Sequence, residues 1–396
     1  MNSRRAYRRC AGMLSLMLAL LAPALAAEHR IQREGSGWVD ESSGTLPAEK
    51  NLEVTRFVGS VRIANGARSA TWVLRVHSQE PIEQNARRQL ANFHLGISHK
   101  GNASLIQTVG PVDLALRAEL IIQLPAGAED VHVDTMAGKI TVNGKVKHLE
   151  LQTHGGDIEL DDADQLHAVT MGGSVVVNHR LGDSQIRAGG GDIRVDASVG
   201  DLEILSMGGN IWLKAIARGQ VQSEGGNIEV VRCKGELLVR TAGGNINLGE
   251  MDGPVHAESG GGSIRIGVAR GTVAANTALG DIELWKLSQG AVAHTGLGRI
   301  TAEFVGDRNS MRDSELATTM GDIIAYFSPA ASANIRAITG VCPGQKILSD
   351  FSSLKISTGL AEYGPRSVAA FGAIHGGGST IEMRTMAGQI ELRSTK

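Results

Sequence analysis

The chain has 396 residues, 51 of them glycine, and is 42% hydrophobic but only 3% aromatic. Its 39 basic and 41 acidic side chains are interspersed and give a formal net charge of −2, which excludes the basic face that nucleic acid requires. So much glycine asks for many corners rather than long helices.

In the first 26 residues Arg4, Arg5, Arg8 and Arg9 precede an apolar run from Met13 to Leu25, and the segment ends in Ala24-Leu25-Ala26. A basic start, an apolar middle and small residues at the end are the layout of a cleaved secretory signal, and the run is short for a membrane anchor. The expectation is an exported protein of the periplasm or cell surface, with no stable membrane span after cleavage. Ser3-Arg4-Arg5 also has the form of a twin-arginine signal, but Arg8 replaces the usual apolar residue and favours the general secretory route. Cleavage removes four arginines and no acid, taking the net charge from −2 to −6. Cys233 and Cys342 then remain, free to pair in an oxidising compartment or to stay as buried thiols.

Residues 27–45 read as a flexible segment and 46–128 as a β-rich cap. Leu52-Glu53-Val54, Val61-Arg62-Ile63 and the run Trp72 to Val76 alternate like strands. Between Pro81 and Phe93, Ile82, Ala86, Leu90 and Phe93 share one helical face, and Leu120 to Pro125 reads as a strand ended by proline.

From 129 to 327 one phrase repeats, Thr/Ser-x-Gly-Gly-Asp/Asn-Ile-x-Leu/Val. Its second glycine falls at Gly138, Gly156, Gly173, Gly191, Gly209, Gly226, Gly244, Gly262, Gly280 and Gly298, in steps of 17 or 18 residues. A fixed period of this kind means stacked equivalent units. After each corner an inward column runs through Ile193, Ile211, Ile228 and Ile246, and the residues between its members, such as Arg194, Trp212, Glu229 and Arg265, face water. A second alternating run precedes each corner, and a second glycine recurs half a unit away. The predicted fold is therefore an all-β parallel β-solenoid with coils of roughly 18 residues, capped by the N-terminal region with its one short helix. Gly-Gly supplies positive φ at the corner, Asp or Asn beside it bonds its own backbone, and the inward Thr/Ser hydroxyls bond corner backbone. Residues 328–396 loosen the period until Ser379 to Leu392 restores the phrase as a last coil that closes the stack.

Gly59-Ser60-Val61-Arg62-Ile63, Leu124-Pro125-Ala126-Gly127, the serial Gly-Gly-Asp/Asn-Ile and the closing Gly376-Gly377-Gly378 with Gly388-Gln389-Ile390-Glu391-Leu392 together resemble the "putative adhesin" family. The resemblance covers nearly the whole chain after the signal. It implies an exported bacterial β-strand-repeat solenoid of unknown function, with no family active site to carry over.

Several sharper readings compete with a plain binding module. The column Asp157, Asp192, Asn210, Asn227, Asn245, Asp281, Asp322 suggests calcium, but Lys139, Ser174, Ser263 and Arg299 share it and the acid directly follows Gly-Gly, so corner formation is preferred. Asp161-Asp162-Ala163-Asp164 reads as a solvated acidic turn. Left-handed hexapeptide acyltransferases need a six-residue period, whereas corners here fall about every nine. His154, His167, His179, His256 and His294 lack metal-ligand spacing. No catalytic, cofactor or metal residue is assigned. The expected function is a non-enzymatic, adhesin-like binding or scaffold module of the bacterial envelope, offering Trp212, Arg194, Glu229 and Arg265 on its outer face to an envelope protein or glycan. The alternative is a carbohydrate-active β-helix enzyme, a polysaccharide lyase or hydrolase.

Overall fold

Period-two alternation on both sides of each glycine corner matches the pleat of a strand, and in this protein it becomes strand almost everywhere. The computed structural model describes residues 28–46, 50–109, 115–340, 346–359 and 367–395. The signal-like segment 1–26 and Cys342 lie outside the described residues. Among the described residues the one helix, Glu83–Leu90, buries Ala86 and Leu90, while nearby Phe93 meets Phe57 edge to face at 6.4 Å.

Each coil has a front wall, the strand after the glycine corner, and a back wall, the strand leading to the next one. On the front wall Ile193, Ile211, Ile228, Ile246, Ile264, Ile282, Ile300 and Ile323 follow one another in register, every pairing parallel. On the back wall Val221, Val239, Ala257, Ala275 and Ala293 do the same. These inward residues are buried and belong to one continuous core between the walls. Full burial of each large aliphatic side chain contributes about 1.5–3 kcal/mol, so the coils are held by their shared stack rather than by any one contact.

The inward hydroxyls behave as expected. Thr170 Oγ1 donates to the Gly156 carbonyl at 2.8 Å and accepts from the Gly173 amide at 3.0 Å. Thr241, Ser259 and Thr277 repeat both bonds on later coils. Ala188 breaks the column without breaking the corner, and is buried like its neighbours.

Two expectations about the corner are corrected. Gly138 holds the expected positive φ of 131°, but Gly226 and Gly244 do not. Instead, a Cβ on Gly226 would stand 2.0 Å from the Gly209 carbonyl oxygen, and one on Gly244 2.1 Å from that of Gly226. The second glycine is required because consecutive coils touch there backbone to backbone, closer than any side chain permits. The first glycine is different: a Cβ on Gly225 or Gly243 would meet nothing within 4 Å. The Asp/Asn side chains, likewise, bond the next coil rather than their own backbone. Asp192 Oδ1 accepts from the Asn210 amide (2.8 Å), Asn210 from Asn227 (3.1 Å), Asn227 from Asn245 (2.8 Å) and Asn245 from Ser263 (2.9 Å). A ladder of side-chain acceptors thus runs up the outside of the corner.

The ends are also reordered. Asn51–Val58 and Ser60–Ala67 form a true coil, with Gly59 directly beneath Gly138 in the corner column. This coil lies between Asp130–Ala137 with Ile140–Thr153 on one side and Ala103–Val109 with Arg117–Pro125, which come between them in the chain, on the other. Antiparallel strands Thr71–Ser78, Gly37–Thr45 and Glu28–Glu34 extend the front wall further, so 28–45, read as flexible, is a paired hairpin. At the other end Ser379–Ala387 and Ile390–Ser394 do not close the stack. They insert between the coil of Ser314–Met320 and Ile323–Phe327 and the strands Ala333–Thr339 and Ile347–Ser349. Closure of the back wall falls to antiparallel Ser367–Ile374 and Lys355–Gly359. The repeat identifies which residues face inward, but every coil offers the same ladder, so sequence order did not fix stacking order at the ends.

Candidate functional site

The four outer-face residues singled out from the sequence lie on one front-wall column in the order Arg194, Trp212, Glu229, Asn247, Arg265, Glu283. Successive members are about 4.8 Å apart, the interstrand spacing. The Arg194 guanidinium sits 4.3 Å from the Trp212 ring centroid, a cation–π contact that occupies one face of the half-buried indole. Arg265 Nε approaches Glu283 Oε2 at 3.6 Å, and Lys214 approaches Asp196 at 3.7 Å. Glu159, in the same column, accepts from Lys139 at 2.5 Å, a bond that holds its carboxyl below the usual range. The column is a mixed-charge face whose neighbours neutralise each other. Further along, Trp285 and Tyr326 lie 6.1 Å apart with planes 30° from parallel, and the indole Nε1 donates to Glu283 at 3.4 Å.

Concave surface is found on the back wall, which sequence reasoning did not select. A shallow trough of about 760 Å³ is lined by His132, His148 and His167 with Glu53, Asp130, Glu150 and Asp183. His132 pairs with Glu150 at 3.1 Å, His148 with Asp130 at 2.5 Å, and Glu53 with Lys100 at 3.2 Å. A second hollow begins at the same Asp183 and Ser184 and passes Glu203, Arg218 and Gln220. A third takes Gln222, Arg240, Glu258, Asn276 and His294, and a fourth continues from His294 to Arg336 and Arg384. The outward polarity of Gln222, Arg240 and Glu258 was visible in the repeat; that these rungs form hollows is a property of the folded walls. A more enclosed pocket of about 480 Å³ lies where the N-terminal hairpin meets the front wall, lined by Trp38, Arg62, His77, Gln79, Arg117 and Glu119. Arg62 and Glu119 pair across it at 3.3 Å.

Among the described residues, no group of three or more His, Cys, Asp or Glu is placed to hold a metal ion. The acidic turn is occupied with neighbouring coils: Asp161 accepts from the Gly144 amide at 3.0 Å, Asp162 from Arg180 at 3.1 Å, and Asp164 pairs with Lys145 at 2.9 Å. Carboxyls with displaced titration, Glu129, Glu159, Asp307 and Asp350, all move down, opposite to the direction a general acid needs. Burial pushes the Cys233 thiol up to about 11, so it stays protonated and unreactive at neutral pH. Among the described residues no helix is long and apolar enough to cross a membrane.

Solved structures similar to this chain include a "putative adhesin" from Bacteroides fragilis NCTC 9343, 12% identical, with a TM-score of 0.24, covering 73% of this chain and 96% of that one. A "putative cell adhesion protein" from Clostridium sporogenes ATCC 15579 is 10% identical, with a TM-score of 0.16, covering 90% and 99%. A "putative lipid binding protein" from Parabacteroides distasonis ATCC 8503 is 10% identical, with a TM-score of 0.23, covering 72% and 96%. No curated protein matches the chain. Residues 60–323, from the first coil through the last regular repeat, match the family described as Toastrack DUF4097, and the chain belongs to that family.

Proposed function

We propose that this protein is an exported, non-enzymatic binding module of the bacterial envelope whose partner is an elongated polymer, a glycan or an extended protein segment, lying along the stacking axis. The observation that carries this reading is the succession of back-wall hollows from Glu53 to Arg384, the first two on one outward column and the last two on the next, two residues further along the strands. Polar side chains recur along each column at the strand spacing of about 4.8 Å, which suits a ligand that is itself periodic. Export is supported by the layout of residues 1–26. The front-wall column of Arg194, Trp212, Glu229 and Arg265 supplies a second, flatter face for the same partner.

The test incubates the protein lacking residues 1–26 with fractionated envelope glycans and proteins, following both retention and new reducing or unsaturated sugar ends. Saturable retention without new ends is expected, weakened by His148→Ala or Arg240→Ala more than by Trp212→Ala. Release of sugar ends that disappears when outward carboxylates such as Glu150 are changed to the amide would overturn the reading in favour of a polysaccharide lyase or hydrolase.

A further inference from the structure

We propose that Met136, His154 and Met171 form a site for a soft monovalent cation, Cu(I) or Ag(I), on the outer edge of the first three repeats. These residues stand one position after the inward threonines Thr135, Thr153 and Thr170, which are in register on consecutive coils. The ladder extends to the residues themselves: the His154 amide donates to the Thr135 carbonyl, and the Met171 amide to the Thr153 carbonyl, both at 3.3 Å. His154 therefore stands between Met136 one coil below and Met171 one coil above, with backbone steps of about 4.8 Å. All three side chains are exposed, the methionines at 57% and 62%.

Folding does not ask for these residue types. Glu224, Ala242, Ala278 and Thr319 hold the same place in later coils. Nor is His154 like most other histidines of the repeats, although among the described residues His167 shares its lack of a carboxylate neighbour. His132, His148, His179, His256 and His294 each have a carboxylate within 4 Å. His154 has no hydrogen-bond or ion-pair partner for its ring among the described residues. Its register neighbours are sulfur on both sides. Two thioethers and one neutral imidazole are a soft, uncharged donor set, which selects Cu(I) and its congener over the oxygen-seeking divalent ions. Binding replaces solvent on the ion and changes no oxidation state, so no redox partner enters.

The experiment titrates Ag(I), in chloride-free buffer, into protein carrying 13C-methyl methionine, and follows the methyl and imidazole resonances. One equivalent should shift Met136, Met171 and His154 together, while Met207 and Met386, exposed but without a thioether–imidazole–thioether arrangement, shift only in excess. Met136→Leu or Met171→Leu should each weaken binding about tenfold or more, with the thermal midpoint of the ion-free protein unchanged. Equal response of all exposed methionines, or no saturable binding, overturns the site. Cu(I) held by a competing chelator should report the same order of affinities among the variants, and Zn(II) should produce no matching shifts; a Zn(II) response at the same three residues would also overturn it.

Discussion

The two edges of the solenoid obey different rules. Along the phrase edge the backbones of consecutive coils are in contact, and in most phrases the second glycine is followed by an acceptor for the next coil's amide. Along the opposite edge Asp164 and Arg218 stand among glycines such as Gly182 and Gly253. There, Ile140–Thr153 through Ile211–Ser223 bend without a break, whereas from Ile228–Cys233 and Leu237–Thr241 onward each coil is split into two strands. The register shifts of the early coils, between Leu160 and Ala163 or Val177 and Arg180, also fall towards this edge. Coils of 17 and 18 residues can therefore stack: one edge fixes the register and the other absorbs the difference in length.

Substitutions can break this comparison. Gly226→Val drives a side chain into the Gly209 carbonyl, 2.0 Å from where its Cβ would lie, and should cost on the order of 3 kcal/mol in denaturant unfolding. Thr241→Val keeps the shape but removes the hydroxyl that serves the Gly226 carbonyl and the Gly244 amide, and should cost about 2 kcal/mol by the same measurement. Asn227→Ala deletes one rung of the exposed acceptor ladder, and a loss of about 1 kcal/mol is expected, with faster hydrogen exchange at the Asn245 amide. The sharpest contrast is the smallest effect. Gly225→Ala, one residue from the most sensitive position, points into open space and should change stability by less than about 0.5 kcal/mol. A loss at Gly225 matching that at Gly226 would return the corner to a conformational explanation and sink the close-approach account.

The repeat made the walls legible because Ile211, Ile228 and Ile246 each carry the same inward parity, and the hydroxyl column could be assigned from parity alone. Close approach was not legible: a glycine needed for φ and a glycine needed for space look identical in sequence, and only the position of the Gly209 carbonyl separates them for Gly226. The insertion of Ser379–Ala387 beneath Ala333–Thr339 was hidden for a related reason, since one parallel ladder accepts any coil as its neighbour. Glu28–Glu34 lacks the alternating apolar pattern of a core strand, with Ile31 its one aliphatic residue, so its pairing comes from the edge it docks against. Of the candidate surfaces, the polar rungs could be read from the sequence. Their hollows depend on how the walls and rungs pack, and the Met136–His154–Met171 row became apparent only when coil neighbours were known.

The placement of the two terminal strands has a mechanical consequence. Among the described residues Glu28–Glu34 is joined to the body by one ladder, to Gly37–Thr45. Ile390–Ser394 is held between two, to Ile323–Phe327 and Ile347–Ser349. A tether pulling from the first side can peel the hairpin away one hydrogen bond at a time and leave the coils intact. Tension from the other side must tear two ladders together before anything yields, so the molecule has a compliant end and a stiff end.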